Sequence, residues 1–129
     1  MNDIQLSQHF TVAELCNLKK YPKNIPTIQQ ITSMTYGCRH LLEPAREAIG
    51  CPIIINSGFR NAQVNRQVGG VSGSQHLLGQ AADIRPKDPA QFQRLVNYLK
   101  TCENSYLVMR IQSASIQPRS LLALVSTET

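Results

Sequence analysis

The sequence predicts a single α+β domain, with a largely antiparallel sheet and flanking helices, in a chain of 129 residues. Apolar residues recur at gaps of three and four over residues 27–49, which is typical of an amphipathic helix. Short β-prone runs occur at residues 52–56, 106–112 and 121–126. These runs do not alternate regularly with the helical segments, and this favours an antiparallel sheet over a parallel one.

The first third of the chain predicts two helices separated by a loop. Thr11 stands three residues before Glu14, a capping-box pattern that predicts a short helix over about residues 11–18. The stretch "KKYPKNIP" contains two prolines and an asparagine and predicts a loop. We expect the long amphipathic helix that follows to kink at Pro44 and to end at Gly50.

The central part predicts a strand, a short helix and a second strand. "PIIIN" at 52–56 is a β-branched run between turn residues, which predicts a short buried strand. "NAQVNRQV" predicts a short helix that stops at Gly69 and Gly70, and "QAADIR" predicts a strand that leaves a turn at Gly79.

The last part predicts one more helix and a hairpin. Asp88 and Pro89 suit the N-cap and first turn of a helix that runs to about Lys100. The apolar runs "YLVMRIQ" and "LLALVS" predict a final hairpin within residues 105–129. We expect residues 1–26 to form an N-terminal helix and loop of the same domain.

Composition and charge exclude several classes of protein. The net charge is +5, but the basic residues are scattered and aromatic residues make up only 5%, which argues against a base-stacking nucleic-acid module. A positive balance also suits an anionic polymer such as a bacterial cell wall. No apolar run approaches the roughly 18 residues of a membrane span. "MNDIQLSQHF" lacks the features of a secretory signal, so we expect synthesis in the cytoplasm. If the protein works outside the cytoplasm, for example at a cell wall, another agent must release it.

The four cysteines, at positions 16, 38, 51 and 102, form no CxxC pair. This spacing argues against a structural zinc knuckle and against a thioredoxin-type motif. We expect reduced and mostly buried thiols.

The segment 57–85 combines His76 and Asp83 with five of the seven glycines. On one continuous helix these two residues would lie roughly 10 Å apart. Two ligands of a tetrahedral zinc have donor atoms only about 3.5 Å apart. Gly79 would permit the turn that brings them together. A loop histidine and a turn-capping aspartate are the alternative interpretation of the same spacing.

Two further side chains near this segment are candidates for a site. Arg60 follows "SGF" at the end of the first predicted strand, where a guanidinium could bind a carboxylate through two hydrogen bonds. Ser74 precedes His76 in the glycine-rich loop and could donate a hydrogen bond there. A solvated arginine and an ordinary turn serine are the alternatives.

The complete string resembles a known family. "SGFR" followed by asparagine, then "VGG" and "SQHLLGQAADI", is similar to the zinc D-alanyl-D-alanine carboxypeptidases, which share their fold with the hedgehog signalling domain. Residues 74–83 match every fixed position of the family pattern S-x-H-x-x-G-x-A-x-D. "HFTVAEL" and "LLEPAREAIGCPIIINSGFR" resemble the small bacterial and phage-associated members, so the resemblance covers roughly residues 8–100.

The resemblance implies a hedgehog/DD-peptidase-like fold in which His76 and Asp83 bind Zn²⁺. It implies that Arg60 and Ser74 bind the substrate and that Arg60 takes part in catalysis. The reaction would be hydrolysis of an amide bond in a peptidoglycan stem peptide that contains D-alanine. Carboxypeptidase, endopeptidase and dipeptidase members share these residues, so all three activities remain open.

The last quarter departs from the family pattern. In the family a late strand carries a histidine that completes the zinc site, and an acidic residue or a second histidine close before it helps with proton transfer. Here no histidine follows His76, and Leu124 in "LLALVS" stands at the ligand position. Glu103 and Glu128 are the only acidic residues after Asp88, and neither has matching context.

Three explanations follow from this departure. In the first, the chain is a catalytically impaired relative that binds cell-wall peptides or has a structural role. In the second, its C-terminal part is altered after about Asn104. In the third, His9 or His40 supplies a substitute ligand. We therefore carry two hypotheses: a zinc-dependent peptidase, and an impaired peptide-binding relative.

Overall fold

The computed structural model describes residues 4–70, 72–73, 75–101, 107–111 and 121–125. Ser74, a predicted substrate contact, and Cys102 lie outside the described residues. The last two strands are described through their backbone pairing. Within this part of the chain, no helix is both long and apolar enough to cross a membrane.

The described residues form five α-helices and four strands. The helices are α1 (Val12–Leu15), α2 (Ile28–Gly37), α3 (Glu43–Ile49), α4 (Ala62–Gln67) and α5 (Phe92–Thr101). The strands are β1 (Ile53–Ser57), β2 (Ala81–Pro86), β3 (Leu107–Ile111) and β4 (Leu121–Val125). The sheet has the order β1-β2-β4-β3, and all three pairings are antiparallel. The predicted α+β class, antiparallel sheet and final hairpin are confirmed.

Helix α1 begins as predicted but is shorter than residues 11–18. The hydroxyl of Thr11 accepts a hydrogen bond from the Glu14 backbone N–H at 3.2 Å. The helix ends at Leu15, and Asn17 then adopts a left-handed φ of 49° that reverses the chain. A left-handed residue cannot continue a right-handed helix, so the loop starts earlier than the sequence pattern indicates.

Helices α2 and α3 form one helical stretch with a π-helical turn, Cys38–Leu42, between them. Pro44 has no backbone N–H and its ring crowds the preceding turn. The Glu43 backbone N–H donates to the Cys38 carbonyl, five residues back, which is the π pattern. The predicted disturbance at Pro44 therefore takes the form of a π turn. The predicted stop is confirmed, since Gly50 has a left-handed φ of 68°.

Strand β1 is less buried than predicted. Ile53 is buried, but Ile54 and Ile55 are only partly covered. The reason is the position of β1 at the edge of the sheet, where only one side of the strand has a neighbour.

The core is formed by buried side chains of the N-terminal region, of the helices α2, α3 and α5, and of the strands β1 and β2. Asp88 caps the last helical segment by accepting from the Ala90 N–H at 3.0 Å; a 3₁₀ turn, Pro89–Gln91, leads into α5. Cys16 and Cys38 are buried and free, and burial is the main cause that raises the pKa of each thiol to about 12. Both thiols are therefore protonated and unreactive at neutral pH.

Candidate metal centre

The end of β1 is held against the N-terminal region through Gly58 and Phe59. The Phe59 backbone N–H donates to the Leu15 carbonyl oxygen at 3.0 Å. A Cβ atom at Gly58 would lie 2.3 Å from the same oxygen. Only glycine permits this close approach, which fixes where the chain leaves the sheet.

The buried side chain of Asn24 fixes the backbone on both sides of Arg60. Its amide nitrogen donates to the carbonyl oxygens of Cys16 at 2.8 Å and Phe59 at 2.9 Å. Its amide oxygen accepts from the Asn61 backbone N–H at 2.8 Å. Because Phe59 and Asn61 flank the arginine, these three hydrogen bonds position the loop that carries the guanidinium.

The predicted turn at Gly79 is confirmed. Gly79 has a φ of 72°, and its N–H donates to the His76 carbonyl oxygen at 3.3 Å. The Arg60 backbone N–H donates to the same oxygen at 3.0 Å. A Cβ atom at Gly79 would lie 2.9 Å from the Gln30 carbonyl oxygen, so the turn packs directly on α2. The backbone thus brings the Arg60 and His76 loops together.

The His76 imidazole is oriented by the backbone of Gly58. Its Nδ1 lies 2.7 Å from the Gly58 carbonyl oxygen, and a carbonyl only accepts hydrogen bonds. Nδ1 therefore carries the proton, and the lone pair is on Nε2. Nε2 lies 3.6 Å from Asp83 Oδ2, close to the separation of about 3.5 Å expected for two ligands of a tetrahedral zinc.

The environment of His76 keeps its imidazole neutral. Burial contributes most to lowering its pKa, and the positive charge of Arg60 acts in the same direction. The hydrogen bond to Gly58 and the charge of Asp83 oppose this, but the net pKa lies below the ordinary value of 6.5. A neutral imidazole is the form that binds a metal ion.

Asp83 lies on β2, between β1 and β4. In the ladder it stands opposite Ser57 on one side and Leu122 on the other. Ala81 and Ala82, just before it, are buried and small. The carboxylate is therefore carried by the middle of a paired strand rather than by a loop.

The Arg60 side chain is partly buried, and it packs against Gly70. Its Nε is buried and has no hydrogen-bond partner among the described residues. A Cβ atom at Gly70 would lie 2.8 Å from Arg60 Nη1 and 2.1 Å from Asn65 Oδ1, so the side chain lies directly on a glycine. Burial lowers the pKa of the guanidinium, while the charge of Asp83 and the Tyr21 side chain act in the opposite direction.

Arg60 and Asp83 line one cleft of about 340 Å³, which we call the Arg60 cleft. Lys20 and Tyr21, from the loop after α1, line the same cleft. Local sequence patterns do not indicate that Lys20 and Tyr21 belong to this cleft, because the two residues are distant in the chain from Arg60.

No third protein ligand joins His76 and Asp83 among the residues that the structure describes, where no group of three or more His, Cys, Asp or Glu side chains occurs. His9 instead pairs with Glu43, with its Nδ1 2.6 Å from Oε1. The ring of His40 lies 4.3 Å from that of Tyr36. A substitute ligand from His9 or His40 is therefore not supported.

Strand β4, in which Leu124 stands at the ligand position of the family, pairs with the strand that carries Asp83. In the β2–β4 ladder, Leu124 stands opposite Ala81, and Leu122 stands opposite Asp83. Residues 81 and 83 share one face of β2 because side chains alternate along a strand. The register thus places position 124, which holds a leucine, two residues along β4 from the partner of Asp83.

Comparison with known proteins agrees with this geometry. The family model of peptidase M15 matches residues 8–116. The zinc D-Ala-D-Ala carboxypeptidase of Streptomyces albus G is 48% identical over 44 residues, a match that covers 33% of this chain and 17% of that protein. The match therefore covers less than a fifth of the length of this curated relative.

Proposed function

Because this chain belongs to the peptidase M15 family, we propose that it is a zinc-dependent peptidase. Its substrate would be the D-alanine-containing amide bond of a peptidoglycan stem peptide. The observation that carries this proposal is the 3.6 Å separation of His76 Nε2 and Asp83 Oδ2. Under the same proposal the fold is of the hedgehog/DD-peptidase type, and residues 1–129 form one domain.

The two side chains, His76 and Asp83, are suitable zinc ligands. A neutral imidazole nitrogen and a carboxylate oxygen are both common zinc ligands, and their present separation needs little change on binding. The hydrogen bond from Nδ1 to the Gly58 carbonyl is the outer contact that orients such a histidine. When bound, zinc supplies Lewis acidity and activates water at neutral pH.

Arg60 would hold the substrate. Its buried Nε and its terminal nitrogens can donate to a peptide carboxylate or carbonyl oxygen, and an arginine does this with a fixed geometry. Held in this way, a peptide amide would lie in the cleft that Arg60 and Asp83 share. We also propose that the protein is made in the cytoplasm and acts at the cell wall after release.

Zinc content measured by mass spectrometry, together with calorimetric titration, tests the metal site. We expect one zinc per chain, with affinity lowered at least about 100-fold by His76→Ala or Asp83→Asn, since each ligand contributes much of the binding free energy. His40→Ala, on an exposed histidine, should bind zinc like the unchanged protein. Absence of zinc binding to the unchanged protein would contradict the proposal.

A second function is favoured by the register of β4. With Leu124 at the position opposite Ala81, the described residues offer two protein ligands where a catalytic zinc has three. A relative with this site would bind wall peptides through Arg60 without cleaving them. Mass spectrometry of a D-alanine-containing wall peptide incubated with the zinc-loaded protein separates the two functions, because only the peptidase cleaves the peptide and loses this activity with chelator.

A further inference from the structure

We propose that a second pocket beside the Arg60 cleft binds a carboxylate of the substrate, so that the protein selects acidic peptides. This inference rests on the proposed function and names the class of peptide for the same site. The pocket has a volume of about 190 Å³ and lies between the loop 20–24 and helix α4. We call it the lysine pocket, after Lys20 and Lys23.

The lysine pocket continues the Arg60 cleft. Lys20, Tyr21 and Val64 line both cavities, so the two are neighbours around the same side chains. A peptide held at Arg60 can therefore extend past Lys20 into the second cavity. The two cavities together provide room for residues beyond the one whose bond would be cleaved.

The charge of the lysine pocket is positive. Lys20 and Lys23 line it, and none of its described lining residues is acidic. The ammonium nitrogen of Lys20 lies 5.4 Å from the centre of the Tyr21 ring, where a cation–π contact holds it at the junction of the two cavities. An anionic group is the ligand that complements this surface.

The walls of the lysine pocket are held in place by Asn61. Its amide nitrogen donates to the Lys23 carbonyl at 3.1 Å, and its oxygen accepts from the Val64 N–H at 2.9 Å. The loop and the start of α4 are thereby tied together. Gln63 and Gln67, four residues apart on one face of α4, also line the pocket. Their amides can exchange hydrogen bonds with a peptide backbone.

These features predict that the protein binds acidic peptides more tightly than neutral ones, and that the difference depends only on charge. Of two peptides that differ only by a glutamate in place of a glutamine, the glutamate peptide should bind more tightly when that residue reaches the lysine pocket. The amide isostere keeps the shape and the hydrogen-bonding size but lacks the charge.

The test uses peptides that end in D-Ala-D-Ala, with glutamate or glutamine at each of the three preceding positions in turn. Calorimetry on the zinc-loaded protein should show, at one position, about fivefold tighter binding of the glutamate peptide at low salt. The preference should disappear in Lys20→Met and in Lys23→Met. It should persist in Lys19→Met, whose side chain lines neither cavity. High salt should reduce it, because exposed charges are screened.

The glutamate and glutamine peptides of every pair could bind equally well while peptide cleavage or Arg60-dependent binding is intact. This result would overturn the proposed role of the lysine pocket but not the proposed function. An equal effect of Lys19→Met and Lys20→Met would overturn it too, since the preference would then reflect overall charge. If no peptide binds at all, the proposed function fails together with the pocket.

Discussion

Gly70 and its neighbours show how single residues shape the candidate site. Gly69 needs glycine for its backbone, with a φ of 75° and open space where a side chain would point. Gly70 needs glycine for packing, because Arg60 Nη1 and Asn65 Oδ1 occupy the place of a Cβ atom. Two adjacent glycines are thus required for different physical reasons, and the second concerns Arg60, the residue proposed to bind the substrate.

Gly70→Ala should displace the Arg60 guanidinium and weaken peptide binding by about tenfold or more, since small misplacements of a binding group have large effects. Forcing an extra methyl group into this contact should also lower the free energy of unfolding by about 1–3 kcal/mol. Peptide titration and urea unfolding measure the two effects. Gly73→Ala is the matched control, because nothing lies within 4 Å of a Cβ atom there. Unchanged peptide affinity in Gly70→Ala would show that Arg60 does not depend on this contact.

Some site residues could be predicted from the sequence and others could not. A local pattern predicts His76, Asp83 and Gly79. A ring nitrogen, a carboxylate and a turn residue within eight positions are enough to indicate a possible metal site. Asn24 and Gly58 act through contacts with distant segments. An asparagine in a proline-containing loop has the same local signature whether it is buried or exposed, so its role appears only in three dimensions.

At the scale of elements, the turn between the 3₁₀ segment Gln75–Leu78 and β2 brings the candidate ligands together. Gly79 and Gly50 have nearly the same backbone conformation, with φ of 72° and 68°. Around Gly50 there is open space, whereas a Cβ atom at Gly79 would lie 2.9 Å from the Gln30 carbonyl oxygen. The pair therefore separates the effect of backbone conformation from the effect of close packing.

Gly50→Ala should lower the free energy of unfolding by about 1 kcal/mol, the cost of a left-handed alanine. Gly79→Ala should cost about 2–4 kcal/mol, because the clash with α2 adds to that cost. Only Gly79→Ala should also weaken zinc binding, since the turn sets the separation of His76 and Asp83. Denaturant unfolding and zinc titration of both variants check this. Equal losses of stability in the two variants would show that α2 moves to accommodate the extra carbon atom at no cost in free energy.

The ladder between β2 and β4 suggests how a complete site could be restored. Leu124 lies opposite Ala81, on the side of the strand that position 83 shares, and Ala123 is offset by one residue. Leu124→His should raise zinc affinity by at least about tenfold, because a third ligand adds binding free energy. Ala123→His should leave the affinity unchanged. Competition with a chelating dye measures both constants, and an equal gain from both substitutions would contradict the register.

The predicted elements were correct in type, but their ends and their burial were not all predicted. The sequence predicted α1 to residue 18, but the helix ends at Leu15. Asn17 is left-handed, and the Leu18 N–H donates to the Ala13 carbonyl oxygen, which is a local pattern that ends a helix. The composition of "PIIIN" predicts a buried strand, although an edge strand with three isoleucines has the same composition as a central one. The sequence pattern shows which residues of a strand are apolar. Whether those residues are buried depends on which other segments pair with the strand and pack on it, and the pattern does not show this.

For the whole molecule, Glu43 joins the N-terminal segment to the helical layer. Its carboxylate accepts hydrogen bonds from the Ser7 hydroxyl and from the His9 backbone N–H, the latter at 2.7 Å. The His9 ring contacts its other oxygen at 2.6 Å. Burial would raise the pKa of Glu43, but the hydrogen bonds from Ser7 and His9 outweigh burial and lower it.

A carboxyl whose pKa is lowered on folding stabilises the protein above its ordinary pKa of 4.5 and loses this effect as the pH falls through the lowered value. Glu43→Gln should therefore reduce the free energy of unfolding by about 1–2 kcal/mol at pH 7. The difference from the unchanged protein should shrink as the pH falls below 4.5. Urea unfolding across this range measures it, with Glu47→Gln, on an exposed residue of the same helix, as control. A difference that is constant with pH would exclude the charge as its source.

The strand order β1-β2-β4-β3 also has a consequence for biosynthesis. The aspartate-bearing strand acquires its second neighbour from residues 121–125, roughly forty positions later, so the sheet cannot close until that segment has emerged from the ribosome. Until then the nascent chain exposes an open edge of backbone amides and carbonyls, the kind of surface to which chaperones and other unfolded chains attach.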